Sequence, residues 1–500
     1  MARPRVYDKY KSKMQKVADI NHSIAVLAWD KEVNLPKDGA AHRAQQVATL
    51  SGLSHKEFVE QEFGTMLNRL SNMKSLSEKE AKNVSVTLDA YQKATKFSED
   101  FVIRKSRIES NAYHSWLKAR EANDYALFKD ALKDLVKLKK EESRKLKSAD
   151  HLYDPLLDMY EPGLTVVQLD PIFEGIKKDL KKLIKKIKKS KQVKNGFLRK
   201  KYNWDKQWEF GIDILRNMGY DFDKGRQDLS PHPFTTTFSP MDVRVTTRVD
   251  ENDFAYMLWS TIHEGGHALY EQGLSSEDYG LPTGSYISLS IHESQSRLWE
   301  NHVGRSENYW KYWYPILKAE FPKNLKKVNL DQFYAGINRI APNLIRTEAD
   351  ELHYHFHVLI RYEIEKGLME GSLSTDDLDR VWNEKYKEYL GISAEDANTG
   401  ILQDVHWGHG SFGYFPTYSL GSFYAAQFYA QAEKDIPKLN KKLSKGNTAP
   451  LLQWLRENIH QYGRRYEADE LCNRITGESL NVDHFLKYAS DKFLKIYPIK

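Results

Sequence analysis

Five hundred residues with 40% hydrophobic side chains and a formal net charge of +6 provide ample apolar surface for a large core and exclude an intrinsically disordered chain. A single cysteine, Cys472, excludes an internal disulfide framework. No apolar run approaches the roughly 20 residues that cross a bilayer, and Met1–Lys9 lacks the apolar stretch of a signal peptide, so a soluble, cytoplasmic protein without a membrane partner is expected.

The first two hundred residues read as successive amphipathic helices without a candidate ligand cluster, which assigns residues 1–200 a structural, cleft-forming role. Lysines concentrate between Lys177 and Lys201, but Ile176, Leu180, Leu183, Ile184 and Ile187 recur at helical spacing. The lysines are therefore the solvated face of an amphipathic helix. With few aromatics there to stack on bases, no nucleic-acid partner is expected. The helical pattern breaks at Thr235–Phe238 and Asp242–Val249, where polar and apolar residues alternate with period two on either side of Pro240. That alternation predicts a small hairpin, either a structural ribbon or an edge for an extended peptide.

The run Phe254–Trp259, continued by Ile262, Ala268, Leu269 and Tyr270, predicts a largely buried helix carrying His263-Glu264-Gly265-Gly266-His267. Two histidines four apart share one helix face and can grip a single zinc ion, which leaves Glu264 free to act on water. Each mid-helix glycine costs roughly 1 kcal/mol relative to alanine, so the pair signals another backbone or a substrate approaching closely. Glu271 continues the same face but lies roughly 12 Å along the axis from His263, too far to complete a tetrahedron. The metzincin pattern is excluded, because Tyr270 and Gly273 stand where it requires glycine and histidine. The polar stretch Leu274–Ser285 turns the chain, and a second helix opening near Ile291-His292-Glu293 brings Glu293 back toward the histidines. Two His and one Glu leave a fourth coordination position open. The plainer alternative for Glu293 is a solvated charge paired with Arg297.

Helices resume from His292 onward. His353 and His357 repeat the four-residue spacing without an adjacent glutamate or a matched third ligand; with Asp350 they read either as buried structural residues or as a layer supporting the site from behind. The loop region Gly400–Gly421 concentrates Gln403, Asp404, His406, His409, Tyr414 and Tyr418, and loops on a rigid scaffold are where binding groups sit. Arg346 can bind a carboxylate bidentately, or pair with Asp350 four residues on along one helix.

Taken together, His263–His267, His292-Glu293-Ser294-Gln295, Ile345-Arg346-Thr347-Glu348-Ala349-Asp350 and Gly400-Ile401-Leu402-Gln403-Asp404-Val405-His406-Trp407 resemble the carboxypeptidase Taq family of metallocarboxypeptidases. His232-Pro233-Phe234, Asp242-Val243-Arg244-Val245-Thr246, Leu27-Ala28-Trp29-Asp30 with Pro36, Arg43 and Gln45, and Glu470-Leu471 with Thr476-Gly477 extend the resemblance over nearly the whole chain. It implies a mainly α fold: one large helical body with a deep substrate groove and a small β-hairpin near the metal. Residues 1–500 would form a single metallocarboxypeptidase domain with its catalytic core at 230–425. The implied activity is removal of C-terminal residues from peptide substrates. His263, His267 and Glu293 would bind metal and Glu264 would be the general base. His406 and Tyr418 are favoured over Tyr414 and His232 as oxyanion donors, and Arg346, His232 and Arg244 would bind substrate. The resemblance also implies one divalent metal per subunit, zinc with cobalt able to replace it, and a homodimer. The competing readings are a related helical zinc endopeptidase or oligopeptidase, and a non-catalytic helical scaffold whose histidines are structural.

Overall fold

In the computed structural model the described residues are 5–146 and 150–498; residues 1–4 of the N-terminal segment read above for a signal peptide lie outside them. The fold is mainly α, as expected, and the strands among the described residues number three. No helix among them is long and apolar enough to cross a membrane. The chain divides into two compact units, each assembled from three stretches of sequence. One takes the segment up to Thr95, Asn195–Ile337 and Tyr424–Leu480; the other takes Lys96–Lys194, Asn338–Phe423 and the segment from Asn481. Residues 1–200 and 230–425 each contribute to both units.

In the first unit, strands β1 (Gln227–Leu229), β2 (Thr235–Ser239) and β3 (Asp242–Thr247) form one sheet in the order β1-β3-β2. The antiparallel β2–β3 pair is the hairpin that the alternation predicts, with Thr235 opposite Val245. Strand β1 runs parallel to β3 and, at three residues, is too short to show a period. The sheet packs against the motif helix Phe254–Glu271. Asp253 caps that helix by accepting the Ala255 amide at 3.1 Å, and Phe254, Met257, Leu258, Ile262 and Leu269 lie in the core. After the predicted turn region, Ser288 caps the return helix Leu289–Arg297 by accepting the Ile291 amide at 3.2 Å. The return helix runs directly into a π-helical stretch, Leu298–Gly304.

The two glycines of the motif have separate neighbours. A Cβ on Gly266 would stand 2.7 Å from both the Gln295 carbonyl oxygen and the Ser296 Cα, backbone atoms of the return helix. A Cβ on Gly265 would stand 2.6 Å from Leu215 Cδ2 on helix Trp204–Met218. Of the two expectations for the pair, another backbone and a substrate, Gly266 answers to the first.

In the second unit, helix Val166–Ile187 buries Ile176, Leu180, Leu183, Ile184 and Ile187, and most of its lysines face solvent. It ends at Ile187 rather than continuing through the lysine run. Helix Tyr354–Glu370 is buried along most of its length.

Gly266→Ala should force the motif and return helices apart, because the clash is with backbone that no side-chain rotation relieves. A loss of about 1–3 kcal/mol is expected from overpacking of this kind, read as a lowered thermal midpoint together with reduced metal stoichiometry. An unchanged midpoint with full metal content would contradict this role.

Candidate active site

The motif helix presents the rings of His263 and His267 on one face, one turn apart, and the return helix presents Glu293 to both. His263 Nε2 lies 3.6 Å and His267 Nε2 3.4 Å from Glu293 Oε2. Donor atoms of these three residues fall within 4.8 Å of one another, the one such group of His, Cys, Asp and Glu among the described residues. The other oxygen of Glu293 accepts Arg297 Nε at 2.7 Å, so the ion pair weighed as its alternative role coexists with its orientation toward the histidines.

What surrounds the group decides which atoms are left for a cation. His263 Nδ1 sits 2.9 Å from Glu300 Oε2, and Glu300 also accepts Arg297 Nη1 at 3.0 Å and Arg305 Nη2 at 3.1 Å. Glu300 lies in the π-helical stretch just beyond the return helix. His267 Nδ1 faces the His292 carbonyl at 3.1 Å and His292 Nδ1 at 2.6 Å, while His292 Nε2 faces Glu271 Oε1 at 2.8 Å. One proton assignment satisfies the contacts of His292: it donates through Nε2 to Glu271, and its Nδ1 accepts from His267 Nδ1. With both Nδ1 atoms so engaged, both Nε2 atoms are left facing Glu293. This is the arrangement in which outer hydrogen bonds orient metal-binding imidazoles. Glu271, too far along the helix to join the group itself, supports His267 through His292.

The electrostatics separate the two imidazoles: burial alone would lower His263, but Glu293 and the Glu300 hydrogen bond outweigh it and raise that ring, whereas His267 moves the other way. Burial and the neighbouring His292 hold the His267 imidazole down at about 3, so it is neutral and able to donate a lone pair. Burial alone would raise the Glu293 carboxyl, but Arg297 and the two histidines outweigh it and hold the group well below the usual range. Glu264 differs. The residue is buried and burial raises its carboxyl, with His263 and the Thr235 hydrogen bond pulling partly against the rise. The two carboxylates, on neighbouring helices, are thus separated by environment: cationic neighbours hold Glu293 as an anion, and burial raises Glu264.

A second polar cluster lies in the other unit. Arg346 stands in a 3₁₀ turn, Arg346–Glu348, not on a helix with Asp350. Asp350 instead accepts the amides of Ala341, Leu352 and His353 and faces His353 Nδ1 at 2.6 Å. Arg346 donates to Asp404 through Nε at 3.1 Å and Nη2 at 2.8 Å, and to the Tyr354 hydroxyl through Nη1 at 3.2 Å. Arg361, wholly buried, donates to the same Asp404 through Nε at 2.7 Å. The Arg346 guanidinium lies 4.7 Å from the centre of the Tyr418 ring, and the Tyr418 hydroxyl is 3.1 Å from His406 Nε2. Burial holds His406 down at about 3, a neutral ring. Arg346, His406 and Tyr418 are therefore neighbours.

The remaining sequence candidates lie at the sheet. His232 is exposed, and its carbonyl accepts the Ser230 hydroxyl at 2.7 Å. Arg244 is held by Asp242 through two bonds of 2.9 Å and stacks on Trp29 at 4.4 Å and Phe238 at 4.9 Å. Its guanidinium is largely engaged by the protein itself. His357 is bonded to Tyr386 at 2.9 Å and His353 to Asp350, so the second His-x-x-x-His spacing serves packing.

Sequence reasoning missed Glu300, the Glu271–His292 pair, the Asp404–Arg361 pairing, Thr235 and Glu365. Only Glu300 left a local signal: seven residues from Glu293, it falls on the same helix face. Glu365, wholly buried, accepts Trp407 Nε1 and the Gly413 amide at 2.8 Å each, and the Tyr153 hydroxyl. It anchors the loop that carries His406, and burial pushes its carboxyl up to about 7.

Residues 9–493 match the family described as carboxypeptidase Taq (M32) metallopeptidase. The chain is 39% identical over 486 residues to thermostable carboxypeptidase 1 of Thermus thermophilus, covering 95% of each chain. Among solved structures, that of CHT is 53% identical with a TM-score of 0.97, covering 98% of this chain and 100% of the other. The M32 carboxypeptidase from Deinococcus radiodurans R1 is 36% identical with a TM-score of 0.97, covering 99% and 100%.

Glu300→Gln and Glu271→Gln should each weaken divalent-metal affinity by roughly 10- to 100-fold, since each replaces the charged acceptor that orients one imidazole with a neutral amide. Competition with a chromophoric chelator measures this, and wild-type affinity in both variants would contradict the assigned support.

Proposed function

This chain belongs to the carboxypeptidase Taq (M32) metallopeptidase family, and from that premise we propose that it is a metal-dependent carboxypeptidase removing C-terminal residues from peptides. The observation that carries the reading is the convergence of His263 Nε2, His267 Nε2 and Glu293 Oε2, with both Nδ1 atoms already committed elsewhere. Two imidazoles and one carboxylate suit zinc, with cobalt as a substitute. A divalent cation held there supplies Lewis-acid polarisation of a carbonyl and a lowered pKa for water.

The chain's own residues do the rest. Glu264, next to a ligand yet turned toward Thr235, takes the proton of the attacking water and returns it to the leaving amine. His406 and Tyr418 serve as donors to the developing oxyanion, the neutral His406 ring and the Tyr418 hydroxyl being hydrogen-bonded to one another. Arg346 recognises the free carboxylate of the substrate. Supporting this, the two buried guanidiniums of Arg346 and Arg361 share the single carboxylate of Asp404, a local surplus of one positive charge that an incoming carboxylate offsets. His232 and Arg244 are assigned to the substrate-facing surface on family resemblance. The proposal takes residues 1–500 as one catalytic domain, acting as a cytoplasmic homodimer on peptides, without nucleic-acid or membrane partners.

Digestion of an unblocked peptide followed by mass spectrometry should yield a ladder shortened from the C-terminus, abolished by chelator and absent when the C-terminus is an amide. Internal fragments would point instead to an endopeptidase. Glu264→Gln should keep its metal while losing turnover by about 10²- to 10⁴-fold; a metal-loaded variant with wild-type turnover would remove Glu264 from the mechanism.

A further inference from the structure

The carboxylate of Glu264 is held from outside its own helix. Thr235, the first residue of β2, places its hydroxyl 2.7 Å from Glu264 Oε2 and 3.0 Å from the Glu264 carbonyl oxygen. A hydroxyl that close to both the carboxylate and the main chain of one residue fixes the side chain's direction relative to the helix axis. It occupies one carboxylate oxygen and leaves Oε1 as the proton acceptor, with no protein donor on it among the described residues.

The position of Thr235 is itself prescribed. The Thr246 amide donates to the Phe234 carbonyl at 2.9 Å, and the Thr246 hydroxyl accepts the Phe234 amide at 2.9 Å. Ser230 bonds to the Thr246 hydroxyl at 2.6 Å and to the His232 carbonyl at 2.7 Å. Thr246 is buried within β3, so the segment 232–235 is clamped at its backbone on the residue before Thr235. The two upstream motifs, His232-Pro233-Phe234 and Asp242–Thr246, therefore meet through Thr246 and together deliver one hydroxyl to the motif helix.

We infer that Thr235 is a positioning residue for proton transfer: it sets the orientation of the Glu264 carboxylate, and its effect on catalysis passes entirely through Glu264. This rests on the assignment of Glu264 as the base. Misplacing a catalytic group by about 1 Å lowers rate by up to ~100-fold while leaving substrate binding in place, so the signature is a fall in kcat with little change in KM.

The test uses the full-length, metal-loaded enzyme. Thr235→Val keeps the β-branched shape and removes the hydroxyl; it should bind metal as wild type, hold KM, and lower kcat by about 10- to 100-fold. Thr235→Ser, which restores the hydroxyl, should recover most of kcat, and Thr235→Ala replaces the valine variant if valine disturbs folding. In a Glu264→Asp background, whose shortened carboxylate falls away from the hydroxyl, adding Thr235→Val should change kcat little. Wild-type kcat in Thr235→Val, or the same fractional loss in both backgrounds, would overturn the inference. Glu264→Gln measured alongside reads the parent assignment separately: wild-type turnover there refutes the base, and the Thr235 role with it, whatever Thr235→Val does.

Discussion

The catalytic unit depends on the absence of one side chain. Gly266 lets the backbone of the return helix lie against the motif helix, with Gln295 and Ser296 where a Cβ would stand. Glu293 is two and three residues before those contact points, so this approach sets how far its carboxylate reaches toward His263 and His267. Burial of both helices supplies the driving force, but apolar packing is non-directional and tolerates shifts of an ångström or more. The glycine contact converts that packing into a defined separation. Glycine's lower helix propensity is accepted at the position where any larger residue would push Glu293 away from the two histidines.

Around that contact the charges are arranged in layers. Glu293 meets the histidines with one oxygen and Arg297 with the other; Glu300 ties Arg297 and Arg305 to the back of His263; Glu271 reaches His267 through His292. Each of these three carboxylates has a cationic or imidazole partner, which is how buried charge is tolerated. Glu264 stands apart, with a threonine hydroxyl as its partner and a carboxyl raised by burial. In the other unit Asp404 plays an analogous part for Arg346 and Arg361, and Glu365 ties down the loop from which Asp404 and His406 project. In both units the groups proposed to react are held by residues that do not.

Much of the first unit was legible because its determinants are local. His263 and His267 are one helical turn apart, the chain reversal before Glu293 is written in Gly, Ser and Pro, and the β2–β3 hairpin shows as alternation around Pro240. The resemblance of ordered motifs covered the rest of the chain. What stayed hidden are pairings between distant segments: Arg346 with Asp404, 58 residues apart, Thr235 with Glu264, 29 apart, and Glu365 with Trp407, 42 apart. Helical spacing offered Asp350 as the partner for Arg346, and the chain there forms a 3₁₀ turn that sends the two side chains to different partners. The interleaving of the two units was equally invisible: one crossing, at Phe423–Tyr424, falls inside helix Pro416–Asp435, and the others fall in turns and loops of ordinary composition between helices.

The central claim is that His263, His267 and Glu293 hold one divalent metal while Glu264 does not touch it. Anomalous diffraction from crystals of zinc-loaded protein, recorded on either side of the zinc absorption edge, tests this directly. A single peak bonded to both Nε2 atoms and the Glu293 carboxylate, with Glu264 outside bonding distance, is the predicted result; a peak elsewhere, or Glu264 bound in place of Glu293, would contradict it.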